Sequence, residues 1–223
     1  MRRVALFDFD GTLCPGDSIV PFLRFCVREG LAPRRQWLRA GKGYLNQLLH
    51  PERVRSAKAA TLSFLRGKSR EEMEAAADRF IREKLAPRFY TEGIRTLKKL
   101  RAEDVQILLI SASADVYMNR MPRFLPVDEV LATPCLTGPD GRYSGEIGEN
   151  CRGEEKIRRF RAWQAAQPEE TEVLWAYGDS AHDRPMLSLA ERPVLVNANE
   201  KLAASVPGVS VVHWKKRDAH AGD

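Results

Sequence analysis

Arg3-Val4-Ala5-Leu6-Phe7-Asp8-Phe9-Asp10-Gly11-Thr12-Leu13 is the stretch on which the reading of this chain turns. Residues 3–9 form a short apolar run that ends in two acids. A continuous run of this kind suits a strand buried on both faces. Three further runs repeat the pattern. Val105 to Ile110 ends at Ser111, Val173 to Tyr177 ends at Gly178-Asp179, and Pro193 to Val196 ends at Asn197. Helical patterns lie between them. Thr91 caps one that carries Ile94, Leu97 and Leu100; Glu154 opens another with Ile157, Phe160 and Trp163; a short one spans about Asp183 to Ala190. Strands alternating with helices predict an α/β fold, a doubly wound parallel sheet.

Residues 18–88 break the alternation. They hold no convincing strand and read as about four helices. Ser18 precedes the apolar stretch Ile19 to Val27. Pro33 precedes Trp37, Leu38, Tyr44, Leu45, Leu48 and Leu49. Pro51 precedes Val54, Ala57, Thr61 and Leu65. Ser69 with Glu72 makes a capping box ahead of Met73, Ala77, Phe80 and Leu85. Because one strand lies before this block, it is an insert in the α/β core. The expected division is a core of residues 1–17 and 89–223 with a helical cap at 18–88. Gly138-Pro139-Asp140-Gly141, between Val130–Thr133 and Tyr143–Ile147, predicts a β-hairpin.

The chain has 223 residues, 43% hydrophobic and 30% charged, which places it with soluble globular proteins. Its apolar runs are too short to span a bilayer, and the N-terminus shows no secretory pattern, so a cytoplasmic protein without membrane insertion is expected. Cys14, Cys26, Cys135 and Cys151 lack C-x-x-C spacing and read as reduced thiols. The formal charge of +6 is spread among acids along the chain, which suits steering of anionic small molecules rather than a nucleic-acid interface. Oligomeric state is open between monomer and dimer.

In open α/β sheets the C-terminal strand edge is where ligands bind. Asp8, Asp10, Ser111, Asp179 and Asp183 all arrive there, with Lys156 near the start of a helix. Clustered carboxylates need a cation, and an all-oxygen set without His or Cys suits Mg²⁺ rather than zinc. A lysine and a hydroxyl beside such an ion suit a phosphoryl group. One carboxylate can then attack phosphorus, and another two residues along can move the proton of the leaving oxygen.

Asp8-Phe9-Asp10-Gly11-Thr12-Leu13 resembles the D-x-D-G-T-L opening of the haloacid dehalogenase-like hydrolases. Ser111 in Ile110-Ser111-Ala112-Ser113, Lys156 in Asn150-Cys151-Arg152-Gly153-Glu154-Glu155-Lys156, and Gly178-Asp179-Ser180-Ala181-His182-Asp183 resemble that family's second, third and fourth motifs, in its order. The insert after the first motif is similar to the phosphoserine phosphatase-like branch with a helical cap. The resemblance implies Mg²⁺-dependent phosphomonoester hydrolysis through an aspartyl-phosphate. Asp8 would be the nucleophile and Asp10 the acid/base, its main-chain carbonyl touching the metal. Ser111 and the amides near Ala112 would bind phosphate. Lys156 would offset charge, Asp179 would ligate the metal, and Asp183 would support the metal's waters or Lys156. Asp17 falls where phosphoserine phosphatases carry a substrate-binding acid. Arg53, Arg55 and Lys58 are candidates for holding the substrate from the cap. Ser111-Ala112-Ser113 and His182 depart from the phosphoserine phosphatase pattern, so the substrate stays open.

Simpler roles exist for several of these residues: Ser111, Asp183 and Asp17 can each cap a helix. Two other classes share parts of the chemistry. A phospho-accepting receiver domain of a signalling system also clusters carboxylates, Mg²⁺ and lysine, but it is shorter and lacks a helical insert. A catalytically idle binding protein on the same fold is disfavoured because every motif residue is in place.

Overall fold

The structure is a computed structural model that describes residues 1–49 and 54–215. Pro51, Arg53 and the tail beyond Lys215 lie outside the described residues, as do the side chains of Tyr44, Leu48, Leu49, Val54 and Arg55. The chain begins with β1 (Arg2–Phe7), whose last four residues are buried, as the apolar run requires. Four helices follow: α1 (Ile19–Arg28), α2 (Gln36–Leu49), α3 (Val54–Leu62) and α4 (Arg70–Phe80). Ser69 caps α4 by accepting the Glu72 N–H at 3.1 Å. After α5 (Thr91–Ala102) come β2 (Gln106–Ala114), the short α6 (Asp115–Met118), β3 (Glu129–Thr133), β4 (Cys135–Thr137) and β5 (Tyr143–Ile147). The remainder is α7 (Glu154–Ala165), β6 (Thr171–Gly178), α8 (Arg184–Leu187), β7 (Arg192–Val196), α9 (Glu200–Ala203) and β8 (Ser210–Val212).

Six strands form one sheet in the order β3-β2-β1-β6-β7-β8, and each pairing is parallel. The chain leaves β1 toward β2 and β3, then returns to the other side of β1 through β6, β7 and β8. That reversal places the crevice of a doubly wound sheet at the C-terminal end of β1.

The hairpin has a different first arm from the one the sequence suggests. Its turn pairs β4 with β5, while Val130–Thr133 belongs to β3 and pairs with β2 from Leu108↔Glu129 to Ala114↔Thr133. Pro134 separates β3 from β4 and lets the chain leave the main sheet. The main sheet also gains β8, whose three residues are too few and too exposed to make an apolar run. β2 runs past Ser111 to Ala114, with a register shift between these two positions. The helix near Asp183 is shorter than expected, ending at Leu187. Thr91 is the first helical residue of α5, and Tyr90 occupies the capping position.

One apolar core joins the sheet to the inserted helices. Phe22 of α1 packs 5.0 Å from Phe80 of α4 and 4.8 Å from Tyr117 of α6, measured between ring centroids. Arg120 adds two hydrogen bonds to Asp78 of α4, at 2.8 and 2.9 Å. The helices between β1 and β2 therefore rest on the sheet through buried rings and a forked ion pair. All four cysteines are free and buried, and among the described residues no helix is long and apolar enough to cross a membrane.

Candidate functional site

The site is built on the ends of β1 and β6. The Asp8 N–H donates to the Tyr177 carbonyl at 2.9 Å, which fixes the first residue after β1 against β6. Gly11 then turns the loop with φ of +84°, and an added Cβ would stand 2.1 Å from Asp179 Oδ2. Any side chain here would drive the two loops apart, so the glycine after the second acid is what lets Asp179 approach Asp8. Gly178 has the same function on β6, because a Cβ there would meet that of Asp183 at 2.4 Å.

Lys156, on the first turn of α7, is buried and ties the cluster together. Its Nζ donates to Asp8 Oδ1 at 2.7 Å and to Asp183 Oδ1 at 2.6 Å. Burial alone would push this ammonium toward neutrality; the two carboxylates overturn that and hold it charged. Asp183 is buried too, yet Lys156 and the Ser180 hydroxyl and N–H keep its carboxyl below the usual range. Its Oδ2 accepts from Ser180 Oγ at 2.8 Å and Ser180 N at 3.0 Å, closing a capping box around the turn Ala181–Asp183. Asp183 thus caps its own turn and also anchors Lys156.

One lysine does not neutralise three acids. Asp8, Asp179 and Asp183 bring carboxylate oxygens within 4.8 Å of one another. Burial, then Asp8 and Asp183, push Asp179 up to about 7; burial pushes Asp8 up to about 6 in spite of Lys156. The group is short of positive charge and contains oxygen donors only. A hard divalent cation fits this donor set.

Asp10 stands apart from that group. Its Oδ2 accepts from Ser18 Oγ at 3.0 Å and from Ser113 Oγ, and Tyr117 OH lies 2.8 Å behind Ser18. Its Oδ1 is shut away from solvent with no hydrogen-bond partner. Burial, followed by the charge of Asp17, pushes its carboxyl up to about 8. Its surroundings thus favour the protonated carboxyl, the form that a general acid needs.

The acids open into a cleft of about 380 Å³ lined by Asp8, Asp10, Asp179 and Asp183 at its base, with Ser111, Ala112 and Ser113 beside them. Ser111 is buried and accepts the Ser113 N–H at 3.1 Å, so it does not cap α6. Asp17 lines the cleft from an exposed position while its Oδ1 accepts the Ile19 N–H at 2.7 Å at the start of α1. Lys58 reaches in from α3, donating to the Ala112 carbonyl and to Asn150 Oδ1 at 2.6 Å. Burial pushes it down to about 8, against the pull of Asp17 and Asp10. Arg152 and the exposed His182 complete the rim. Trp37 and Phe64 are not part of the cleft lining. Cys14 is buried behind the loop, and burial pushes its thiol up to about 12, which makes it inert.

Sequence reasoning brought Asp8, Asp10, Asp17, Ser111, Ala112, Lys156, Asp179 and Asp183 to this one cleft, and Lys58 among its weaker candidates. It missed the hydroxyls that hold Asp10. Ser113 was legible, since Ser111 and Ser113 are two apart on a strand and face the same way. Ser18 and Tyr117 carried no local signal.

Known proteins resemble this chain in sequence and in fold. Phosphoserine phosphatase SerB1 of Mycobacterium tuberculosis is 30% identical over 213 residues, covering 91% of this chain and 67% of that protein. Histidinol-phosphatase of Neisseria meningitidis is 27% identical over 228 residues, covering 96% of this chain and all of its own length. A crystal structure of a protein of unknown function from Bordetella pertussis Tohama I superposes with a TM-score of 0.82 at 27% identity, over 95% of this chain and 98% of that one. The family model for haloacid dehalogenase-like hydrolase matches residues 5–188, the span that runs from β1 through the last acid of the cluster. With Asp8, Lys156, Asp179 and Asp183 converging inside that span, the chain belongs to the haloacid dehalogenase-like hydrolase family, and it is an enzyme.

Proposed function

We propose that this protein is a Mg²⁺-dependent cytoplasmic phosphatase that hydrolyses a small phosphomonoester, phosphoserine-like or related, through an aspartyl-phosphate on Asp8. The observation that carries the reading is the pairing of two acids on one loop: Asp8 held by a buried lysine, and Asp10 held by hydroxyls alone. Asp8, Asp179, Asp183 and the main-chain carbonyl of Asp10 are the groups that would hold Mg²⁺, whose charge when bound offsets that of the phosphoryl oxygens.

In the first half-reaction a carboxylate oxygen of Asp8 attacks phosphorus while the ester P–O bond breaks. The leaving oxygen takes the proton of Asp10. Lys156 faces the charge that builds on the transferred group. In the second half a water attacks the acyl phosphate and gives its proton to Asp10, and the bond from phosphorus to the Asp8 oxygen breaks to release inorganic phosphate. Ser111, with the amides beside Ala112, binds the phosphoryl oxygens.

Residues 18–88 serve as the cap that chooses the leaving group, and 1–17 with 89–223 as the catalytic core. Both phosphatases named above act, by name, on esters of alcohols that also carry an amino group. The carboxylate of Asp17 on the cleft rim suits such a substrate.

Exhaustive chelation with EDTA should abolish turnover of an aryl phosphate, and Mg²⁺ should restore it. Full activity after chelation, or recovery with Zn²⁺ but not Mg²⁺, contradicts the all-oxygen site. A panel of phosphorylated amino alcohols and sugars then ranks the substrates.

A further inference from the structure

The outward face of α2 differs from that of the other long helices. On α4 the exposed positions are Arg70, Glu71, Glu72, Ala75 and Arg79, an ordinary solvated face. On α2 Leu38 is 70% exposed and Leu45 60%, with Trp37 exposed beside them. Leu38, Lys42 and Leu45 stand at i, i+4 and i+7, so they form one line along the helix. The opposite side is held firmly. Gln36 is buried and donates to the Ala60 carbonyl at 2.6 Å and the Thr61 carbonyl at 3.1 Å. Ala40 is buried, and Gly43 sits so close to α3 that a Cβ would meet Ala57 at 3.0 Å. The apolar line is therefore turned outward by the packing of its other face.

Its charge is as one-sided as its polarity. Between Glu29 and Glu52 the sequence holds Arg34, Arg35, Arg39 and Lys42 and no Asp or Glu. All four cations are exposed. The interleaving of signs found along most of the chain stops here.

An occupant must accept leucine and tryptophan and also present anions. A second copy of this chain would bring the same cations to the contact and repel. Nucleic acid would match the cations and leave Leu38 and Leu45 in water. The surface of an anionic bilayer satisfies both, because apolar side chains enter the boundary of headgroups and acyl chains while arginine and lysine meet lipid phosphates. A helix of 14 residues whose exposed apolar residues, among those described, follow one line lies in that plane and does not cross it.

We propose that α2 is a docking surface for anionic lipid membranes and brings the enzyme onto the bilayer as a peripheral protein. The reading is independent of the catalytic one, since among the described residues none of α2 lines the cleft.

Co-sedimentation with vesicles tests it. Full-length protein should pellet with phosphatidylcholine vesicles containing about one third phosphatidylglycerol and stay in solution with pure phosphatidylcholine. The pairs Leu38→Glu with Leu45→Glu, and Arg39→Glu with Lys42→Glu, should each lower partitioning on the order of tenfold or more. Both should keep the wild-type melting temperature and turnover of a soluble aryl phosphate. Wild-type protein that stays in solution with the anionic vesicles overturns the proposal, as do variants that bind like wild type. Loss of a wild-type dimer in the leucine variant, seen by light scattering with vesicle binding unchanged, would assign the face to a second copy instead.

Discussion

Asp8 and Asp10 are two residues apart on one loop, and burial raises both carboxyls, yet they face different partners and are raised by different amounts. Asp8 faces Lys156 at 2.7 Å and sits at about 6. Asp10 faces Ser18, Ser113 and, behind them, Tyr117, and sits at about 8. Burial raises both. What separates them is the neighbour: a fixed cation draws one carboxyl back toward ionisation, while the other has only hydroxyls beside it and the charge of Asp17, which raises it further. Two carboxyls of the same residue type are thereby given different acidities without any difference in sequence chemistry, as the proposed roles of nucleophile and acid require. The neighbouring acids repeat the lesson, since Asp183, hydrogen-bonded to the same lysine, falls below its usual range while Asp179, without that bond, rises to about 7.

The sharpest break of this contrast is Asp8→Asn. The amide keeps the shape and still reaches Lys156, but it cannot form an acyl phosphate, so turnover should fall by several orders of magnitude on every substrate. Near-normal hydrolysis of an aryl phosphate would show that the nucleophile lies elsewhere. Asp10→Asn should cost roughly 10²–10⁴-fold on an alkyl phosphate, whose leaving oxygen needs a proton. With nitrophenyl phosphate the first step needs no acid while the second still needs a base. A stopped-flow burst of nitrophenol followed by slow turnover is the expected trace, and a trace without a burst would separate Asp10 from the base role.

How far these roles could be read in advance depended on distance along the chain. Asp8, Asp10 and Gly11 lie in one loop, and the strand–acid pattern announces them. Lys156 and Asp179 follow from the order of motifs, each at the end of its own element. The four inserted helices were legible from their starts, such as Ser69 ahead of α4. Contacts that only the fold creates were not legible. Tyr117 meets Ser18 across 99 residues of chain, and Lys58 meets Asn150 across 92. The hairpin failed for a related reason: Val130–Thr133 reads as extended in either arrangement, and only the vacant edge of β2 decides that it joins the main sheet. β8 escaped because an edge strand of three residues has no hydrophobic period to detect.

Asp17→Ala sharpens the contrast at the cleft rim. The side chain has two uses that can be separated, since its Oδ1 accepts the Ile19 N–H at the start of α1 and its carboxylate lines the cleft. Losing one charge-assisted hydrogen bond to an amino-bearing substrate should lower kcat/KM on the order of tenfold. A small aryl phosphate offers that carboxylate nothing and should lose much less. Equal losses on both would leave Asp17 with the capping role alone.

The smallest effect is on stability, and its sign follows from Asp10. In the unfolded chain this carboxyl ionises near 3.8; in the folded, metal-free protein it holds its proton up to about 8. Between those values the folded state binds more protons than the unfolded state, so stability falls as pH rises from about 4 to about 8 and levels off above that. Asp8 and Asp179 are raised as well and add to the same slope over narrower windows, ending near 6 and near 7. Asp183, which is lowered, opposes them only near the acid end. The melting temperature of EDTA-treated protein should therefore drop across this range. Asp10→Asn replaces the titrating group with a neutral one that Ser18 and Ser113 can still reach, and it should flatten the slope above about 7, where Asp8 and Asp179 have largely ionised and Lys58, lowered to about 8, adds a slope of the opposite sign that the variant keeps. Mg²⁺ should flatten the lower part instead, because a bound cation stabilises the ionised carboxylates that the metal-free fold penalises. If Asp10→Asn leaves the upper part of the curve unchanged, its carboxyl is ionised at neutral pH and the hydroxyl partners do not keep it protonated.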